Sequence, residues 1–551
     1  MEIVKEQEIP QEYCYKYNNN SLIDFHLLQK LPYEQTENNG NKKNYLQING
    51  SHLLGGKINK SDIDSILIIH EEIEDENNNL IKCPITSLEF FGPEFEDCQN
   101  LENGCGHLNK SLYCRFCGYF DKEITFLYKI NSRIQTIKLK IFGIDVDISL
   151  VLIPGKFIGK IENLNIQTEK GISNFNEIFK KLEILISESE ESKRKLEISL
   201  EEHENKYKNK LIEEENKIEK LKKKNLEIAQ IKGRMFSIGG HKSNKLILEI
   251  LEINGNNKLI NKFRIVLKVL KYWAKGNFIY GGKYGFLNGS SLSILTAKLF
   301  LLFPSGSVPF LLKKFFFVYS NWNWKYPIKI EKLTNFGSQG WNYNLDINSK
   351  NNLYKNNIGE INKKRKLKYL IPMFMTIITP GYPEQNTMLF NNKKIKQNKN
   401  ENEITLALKE LIGTENKFIR KYDHFMLISC ISENNKNLEK FCFFIESTIR
   451  IQLINLIIEN INLRHTHFWE ESINKCFVEN GKKFVEKMEN GSICKFWLVG
   501  IELEEKTKEL NEFINVENFS EEIRERIPKI FKNDRNNIQT FYLSQNDLLI
   551  V

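Results

Sequence analysis

The stretch TIKLKIFGIDVDISLVLIP, Thr136 to Pro154, constrains the fold more than any other part of the chain. Polar and apolar residues alternate along it. Alternation with period two sorts the side chains onto two faces only if the backbone is extended. Phe142-Gly143 breaks the run and marks the turn, so two antiparallel strands are predicted. A third strand is predicted in SDIDSILIIH, Ser61 to His70, where a polar start leads into an apolar run. Residues 245–330 differ: they are apolar, aromatic-rich and helical in pattern. The chain therefore mixes helix and sheet, and it is long. At about 150 residues per domain, 551 residues predict three to four domains.

Composition excludes several classes. Hydrophobic residues are 41% and charged residues 27%, which rules out wholesale disorder. No run approaches the roughly 18 apolar residues of a membrane span. The segment MEIVKEQEIPQ is acidic and lacks an apolar core, so no signal peptide is expected. Ten cysteines in a chain this long read as reduced intracellular thiols. The net charge of +9 suits a polyanionic partner without demonstrating one.

Four further segments complete the organisation. Residues 1–45 are polar, with one helical candidate at Leu22 to Leu31. Residues 71–120 read as irregular. Between 175 and 232, Leu196, Leu200, Tyr207, Leu211, Ile218 and Leu221 recur at near-heptad spacing among Glu and Lys. That predicts a long exposed helix or helical hairpin, read as a solvated insertion with a docking coiled coil as the sharper alternative. Ile347 to Lys368 and Asn391 to Glu403 read as polar loops, and ITPGYP, Ile378 to Pro383, as irregular. A separate α+β module is expected from residue 404 onward.

The chemistry is carried by acids. Asp62 and Asp64 lie two apart, so on a strand they share a face. Paired carboxylates repel unless a cation lies between them, and hard oxygen ligands suit Mg²⁺. An Asp-x-Asp alone is weak. Its setting strengthens it: Gly50-Ser51, eleven residues upstream of Asp62, offers backbone N–H groups and a hydroxyl to phosphate oxygens. The strand Ile144-Asp145-Val146-Asp147 supplies a third acid, Asp147, while Asp145 reads as a solvated strand-end residue. Three carboxylates from two strands beside a phosphate-holding turn are what two-metal phosphoryl or nucleotidyl transfer requires.

GSHLLGGKINKSDID, Gly50 to Asp64, followed by a spaced acidic strand, resembles the nucleotidyltransferase superfamily of DNA polymerase β type. Longer blocks narrow the resemblance to the eukaryotic nuclear poly(A) polymerases. Phe263 to Pro304 resembles that family's central-domain core; Phe315 to Ile330 and Met375 to Thr387 resemble two more of its blocks. KYDHF (Lys421 to Phe425), FIESTIRIQL (Phe444 to Leu453) and FWLVGIEL (Phe496 to Leu503) are similar to its C-terminal RNA-binding module.

The resemblance implies an α+β multidomain protein. Its parts would be a nucleotidyltransferase α/β catalytic domain at 1–160, with a Cys-rich insertion about 75–120, and the charged helical insertion at 175–232. A helical central domain would follow at 233–385, and an RRM-like α+β domain at 404–551. Asp62, Asp64 and Asp147 match the metal-binding catalytic acids, and Gly50 and Ser51 the phosphate-holding pair. Lys271 matches a lysine on the ATP phosphates, and Tyr280 a tyrosine at the nucleotide. Gly289 and Ser290 match a Gly-Val pair beside the adenine, with Ser in place of Val. Independently, Arg264, Lys268, Lys271 and Lys275 form one basic stripe at helical spacing. Phe263, Ile265, Val266, Leu270 and Trp273 lie opposite.

The chain also departs from the family pattern. An Asn-Gly-x-Arg-Val-Thr-Asp block is reduced here to Gly239-Gly240-His241-Lys242-Ser243-Asn244-Lys245, and an ATP-contacting Asn is Gly282. Cys98, Cys105, Cys114 and Cys117, with His107 among them, contain only one Cys-x-x-Cys pair. They read as free thiols in a loop insertion rather than a zinc site. His465 and His467 read as packing or surface.

The implied reaction extends the RNA 3′ end by AMP from ATP and releases pyrophosphate, with Mg²⁺ (or Mn²⁺) as cofactor. Implied partners are ATP, the RNA 3′ end and proteins of a cleavage/polyadenylation complex. A nuclear monomer with no membrane association is expected. Two alternatives remain at this point: another terminal nucleotidyltransferase, such as a uridylyltransferase, or a catalytically weak RNA-binding scaffold.

Overall fold

The computed structural model describes residues 45–58, 61–70, 72–74, 80–82, 112–117, 124–130, 134–153, 168–206, 211–277, 279–281, 286–324, 326–332, 339, 341, 375–388, 418–432, 441–442, 444–446, 448–449, 452–453, 463–468, 477–478, 493–503, 516–525, 538–545 and 548–549. The helical candidate at 22–31 and the polar loops at 347–368 and 391–403 lie outside them. The described residues mix helix and sheet, as expected. They fall into two compact units. One comprises Met1–His52, Asp62–Asn165 and Glu169–Ile238; the other comprises Leu53–Ser61, Ile166–Thr168 and Gly239–Val551. Among the described residues, no helix is long and apolar enough to cross a membrane.

The first unit is built on a five-stranded sheet. Its strands are β1 (Tyr45–Ile48), β2 (Ile63–His70), β5 (Ile124–Ile130), β6 (Thr136–Ile141) and β7 (Ile144–Ile153), in the spatial order β1-β2-β7-β6-β5. β2 and β7 run parallel; the other neighbours are antiparallel. Phe142 (φ 50°) and Gly143 (φ 77°) form the predicted turn. Two successive positive φ values match the right-handed twist of the strands they join, which is why this turn makes a tight hairpin. Short α1 (Gly50–Leu54) separates β1 from β2. The region read as irregular contains a small hairpin, β3 (Glu72–Glu74) with β4 (Leu80–Lys82), and α2 (Leu112–Cys117). These elements are too short to produce a periodic signal.

Two long helices follow, α3 (Glu169–Lys206) and α4 (Leu211–Gly276). They pair antiparallel in the first unit. Ser189 Oγ donates to Glu227 Oε1 (3.2 Å), Lys232 Nζ to Glu190 Oε1 (2.7 Å) and Lys217 Nζ to the Ser199 carbonyl (3.2 Å). The predicted helical hairpin is therefore present, but its inner turns are core. Phe175, Ile178, Phe179, Leu182 and Ile186 are buried, as are Ile231, Met235 and Ile238. Farther out, Ile198 and Ile218 are 49% and 42% exposed.

In the second unit, α4 continues into a helical core with α5 (Gly289–Leu302) and α6 (Val308–Ser320). Phe263, Leu267, Leu270, Leu295, Phe300, Leu311 and Phe315 pack together in it. Asn288 caps α5: its Oδ1 accepts from the Ser291 amide (2.8 Å), satisfying a donor that the first helical turn leaves unpaired. Toward the C-terminus come α7 (Phe418–Lys421), β8 (His424–Ser432), β9 (Leu463–Phe468), β10 (Phe477–Val478), β11 (Ile493–Leu503), α8 (Val516–Glu525), β12 (Ile538–Ser544) and β13 (Leu548–Leu549). β12-β8-β11-β9 form a fully antiparallel sheet, and helical turns lie within 441–453. Met426, Ile428, Trp497 and Val499 pack with Phe441, Ile445, Ile449, Phe519 and Ile523. The alternate positions Phe425, Leu427, Ser429, Phe496 and Leu498 are also buried, so β8 and β11 are covered on both faces.

Candidate active site

Strand register assembles the acids. Asp64 is the partner of Asp147 across the parallel β2/β7 pair, so their side chains leave the same face. Asp62, two residues earlier, shares that face, and so does Lys138, the partner of Asp147 across β6/β7. The Lys138 ammonium lies 3.0 and 3.3 Å from the two Asp147 carboxylate oxygens and 3.6 Å from Asp62 Oδ2. The neighbouring apolar positions, Ile63, Val146, Ile148, Ile137 and Leu139, are buried. Alternation that builds the sheet thus also projects the charges.

The electrostatics are lopsided. Burial lowers the Lys138 pKa, but Asp147, Asp62 and Asp145 outweigh it and the net movement is upward. Asp147 is also raised: burial leads, and Asp62 and Asp145 add to it against the single lysine. One ammonium is shared among several carboxylates, so the face is short of positive charge. Such a donor set fits a hard divalent cation. As the side chains stand, no three His, Cys, Asp or Glu among the described residues converge on one ion position.

Gly50 belongs to the same face. Its φ is +58°, and a Cβ there would overlap the Asp64 carboxylate. Only glycine meets both conditions. The Asn49 amide donates to the Asp64 carbonyl (2.8 Å), pinning this turn to the acidic strand. Ser51 follows on α1, partly exposed.

The second unit holds the remaining candidates. The Tyr280 hydroxyl lies 3.0 Å from where a Cβ of Gly289 would stand, so the two residues are neighbours. Lys275 Nζ sits 5.6 Å from the centre of the Tyr280 ring. Ser290 is exposed in the first turn of α5. The basic stripe of α4 is not a plain solvated face. Lys271 is 3% exposed and donates to the Gly56 carbonyl (3.0 Å), and Arg264 Nε donates to the Leu54 carbonyl (3.4 Å). Opposite the stripe, Phe263, Val266 and Leu270 are core, whereas Ile265 is 51% exposed.

Residues 262–417 match the family model described as Poly(A) polymerase central domain. Over part of its length the chain is similar to poly(A) polymerases. It is 29% identical over 212 residues to poly(A) polymerase of Dictyostelium discoideum, covering 36% of this chain. It is 27% identical over 221 residues to nuclear poly(A) polymerase 1 of Arabidopsis thaliana, covering 38% of this chain. The matches span 23% and 28% of those relatives' own lengths. Lys271, Tyr280, Gly289 and Ser290 fall inside the poly(A) polymerase central-domain match; Gly50, Ser51, Asp62, Asp64 and Asp147 fall before it.

The departure at Gly239–Lys245 has a packing explanation. A Cβ at Gly239 would come within 2.8 Å of Pro383 Cδ, and Gly381 (φ +76°) abuts Leu246. The small residues let α4 approach the segment 379–386. Gly282 and the thiol side chains of Cys98, Cys105, Cys114 and Cys117 lie outside the described residues, as does His107. His467 is buried, with Nδ1 2.6 Å from the Tyr422 hydroxyl, a packing role. The residue missed from sequence is Lys138. Its signal was available: it is the one polar position of β6 that the hairpin register sets opposite Asp147.

Proposed function

We propose that the chain is a template-independent RNA 3′-adenylyltransferase. The RNA 3′-oxygen attacks the α-phosphorus of ATP, the bond to the β-phosphate breaks, and pyrophosphate leaves. The observation carrying this reading is the pairing of Asp64 with Asp147, Asp62 beside them, in a chain that contains a poly(A) polymerase central-domain match. The chemistry that bound Mg²⁺ would supply is activation of the 3′-hydroxyl and neutralisation of the triphosphate. Asp62, Asp64 and Asp147 would hold the ions, with Lys138 moving off them. Gly50 and Ser51 would hold phosphate oxygens. Lys271, Tyr280, Gly289 and Ser290 are assigned to ATP, which requires Lys271 to exchange its bond to Gly56 for a phosphate.

The proposed domains are those expected from sequence. The antiparallel order β12-β8-β11-β9, with one helical segment after β8 and α8 before β12, supports an RRM-like C-terminal module. The α3/α4 pair supports a helical projection. A nuclear location is proposed with it, supported by the likeness to nuclear poly(A) polymerase 1. Primer extension on a labelled RNA with each of the four nucleotides tests the reading. ATP alone should give a ladder. Asp62→Ala/Asp64→Ala should reduce it by about a thousandfold or more, with an unchanged melting temperature. A ladder with UTP would reassign the substrate; no ladder from the unsubstituted chain would sink the enzyme reading.

A further inference from the structure

Helix α6 presents an outer face unlike that of an ordinary amphipathic helix. Its inner stripe is apolar and buried, Leu311, Phe315 and Tyr319. Its outer stripe is aromatic and cationic. Phe310 and Phe317 are 41% and 40% exposed, and Lys314 lies between them. The Lys314 ammonium stands 5.6 Å from the Phe310 ring centre, 4.9 Å from Phe317 and 5.7 Å from Phe303. Phe303 and Phe310 are themselves in edge-to-face contact, 5.6 Å between centroids. Leu302 and Lys313 are exposed nearby in sequence. Large aromatic rings left in solvent at helical spacing call for an occupant.

The charge pattern says which kind. Between Glu252 and Glu331 there is no acidic residue, while Lys258, Lys262, Arg264, Lys268, Lys271, Lys275, Lys283, Lys298, Lys313, Lys314, Lys325 and Lys329 all fall in this interval. That is twelve positive charges in a chain whose net charge is +9, so the rest of the molecule is slightly negative. The basic character is concentrated in the segment that carries the exposed rings. Cations interleaved with flat aromatic rings are the composition that holds single-stranded nucleic acid, the backbone by charge and the bases by stacking. The C-terminal sheet does not offer this on its central strands, because β8 and β11 are buried on both faces.

We propose that the Phe310–Lys314–Phe317 face of α6 is a stacking platform for single-stranded RNA, binding the substrate strand upstream of its 3′ end. It rests on the adenylyltransferase reading for the presence of RNA and adds a place where the strand lies. An acidic peptide is the competing occupant; the exposed Phe310 and Phe317 rings, which bases can stack on and carboxylates cannot use, favour RNA over it.

The test uses the full chain and fluorescently labelled oligo(A) of 5 and 20 nucleotides, a 20-mer with abasic sites, and polyglutamate. Phe310→Ser/Phe317→Ser changes two exposed side chains, and its melting temperature is checked first. It should bind the 20-mer roughly five- to hundredfold more weakly. The abasic 20-mer should bind the variant and the unsubstituted chain alike. Lys314→Glu should weaken both 20-mers and flatten the salt dependence. A benzoylphenylalanine placed at 317 should cross-link to oligo(A). Should the unsubstituted chain bind no RNA, the adenylyltransferase reading fails and takes this proposal with it. RNA binding that is strong and indifferent to the double substitution overturns the platform alone. Loss of polyglutamate binding with RNA binding retained reassigns the face to an acidic protein partner.

Discussion

The two larger sheets of this molecule are built by the same alternation and have opposite uses. In the first, the leading ends of β2 and β7, with β6 beside them, bury one set of side chains and present Asp62, Asp64, Lys138 and Asp147 on the other face, which farther along the strands is buried too, at Ile66, Ile68, Val151 and Ile153. In the second, β8 and β11 bury both sets, down to Phe425, Leu427 and Leu498 at 0% exposure. Charge held on a sheet face costs stability unless it is paired, and several carboxylates sharing one lysine are paired poorly. A face kept in that condition has a use other than holding the fold. The second sheet carries no such burden, and its central strands leave no aromatic surface for bases to stack on. Function and stability are therefore expected to separate between the two sheets.

Substitutions can break this contrast. The largest effect should come from the second sheet: Trp497→Ala removes a fully buried indole and should cost about 3–5 kcal/mol in denaturant unfolding. If it costs little, Trp497 is not packed in the core of the second sheet. Gly50→Ala should come next, at about 1–3 kcal/mol, because a Cβ there meets Asp64 in a left-handed backbone. Its loss of primer extension should exceed what the thermal shift explains.

Lys138→Met sharpens the contrast from the other side. It should change stability modestly but alter cation binding. With its ammonium gone, Asp62 and Asp147 lose the cation that lies against them. Mn²⁺ titrated into the variant and followed by electron paramagnetic resonance should bind several-fold more tightly. Unchanged or weaker Mn²⁺ binding would show that Lys138 organises the acids rather than competing for them.

A buried group outside both sheets gives the most pH-specific effect. His241 is 4% exposed, neither ring nitrogen has a hydrogen-bond partner among the described residues, and burial, helped by Lys245, depresses its pKa to about 3. A histidine whose folded pKa lies below its unfolded value of 6.5 stabilises the fold above pH 6.5. That stability is lost as pH falls from 6.5 toward about 3, by roughly 1.4 kcal/mol per pH unit. His241→Leu should flatten the melting temperature over that window; an unchanged pH profile would place the imidazole in contact with water.

Much of this was legible before any coordinates. The Phe142-Gly143 hairpin, the strand from Ser61, the helical pair within 175–232 and the helices of 245–330 follow from local periodicity, which sequence records directly. Asp62 and Asp64 were legible for the same reason, since a two-residue step on a strand fixes their shared face. Lys138 is legible only at one remove: the Phe142-Gly143 turn sets the register that places it opposite Asp147, and its own neighbours carry no signal. The burial of Lys271 and the exposure of Ile265 were not legible. Helical spacing defines two faces of α4 but does not say which segment covers each. The short segment at Leu54 and Gly56, more than 200 positions away, covers the basic one.

The sequence by itself determined which residues could do chemistry and which segments would be strand or helix. These are properties of near neighbours, set by side-chain period and backbone preference. Tertiary structure decided which charges meet: that one lysine serves several carboxylates, that Gly50 must be glycine because Asp64 lies against it, and that the exposed rings of α6 stand around a lysine. Each of these depends on groups brought together by folding, through hydrophobic burial that is indifferent to the charges it carries along.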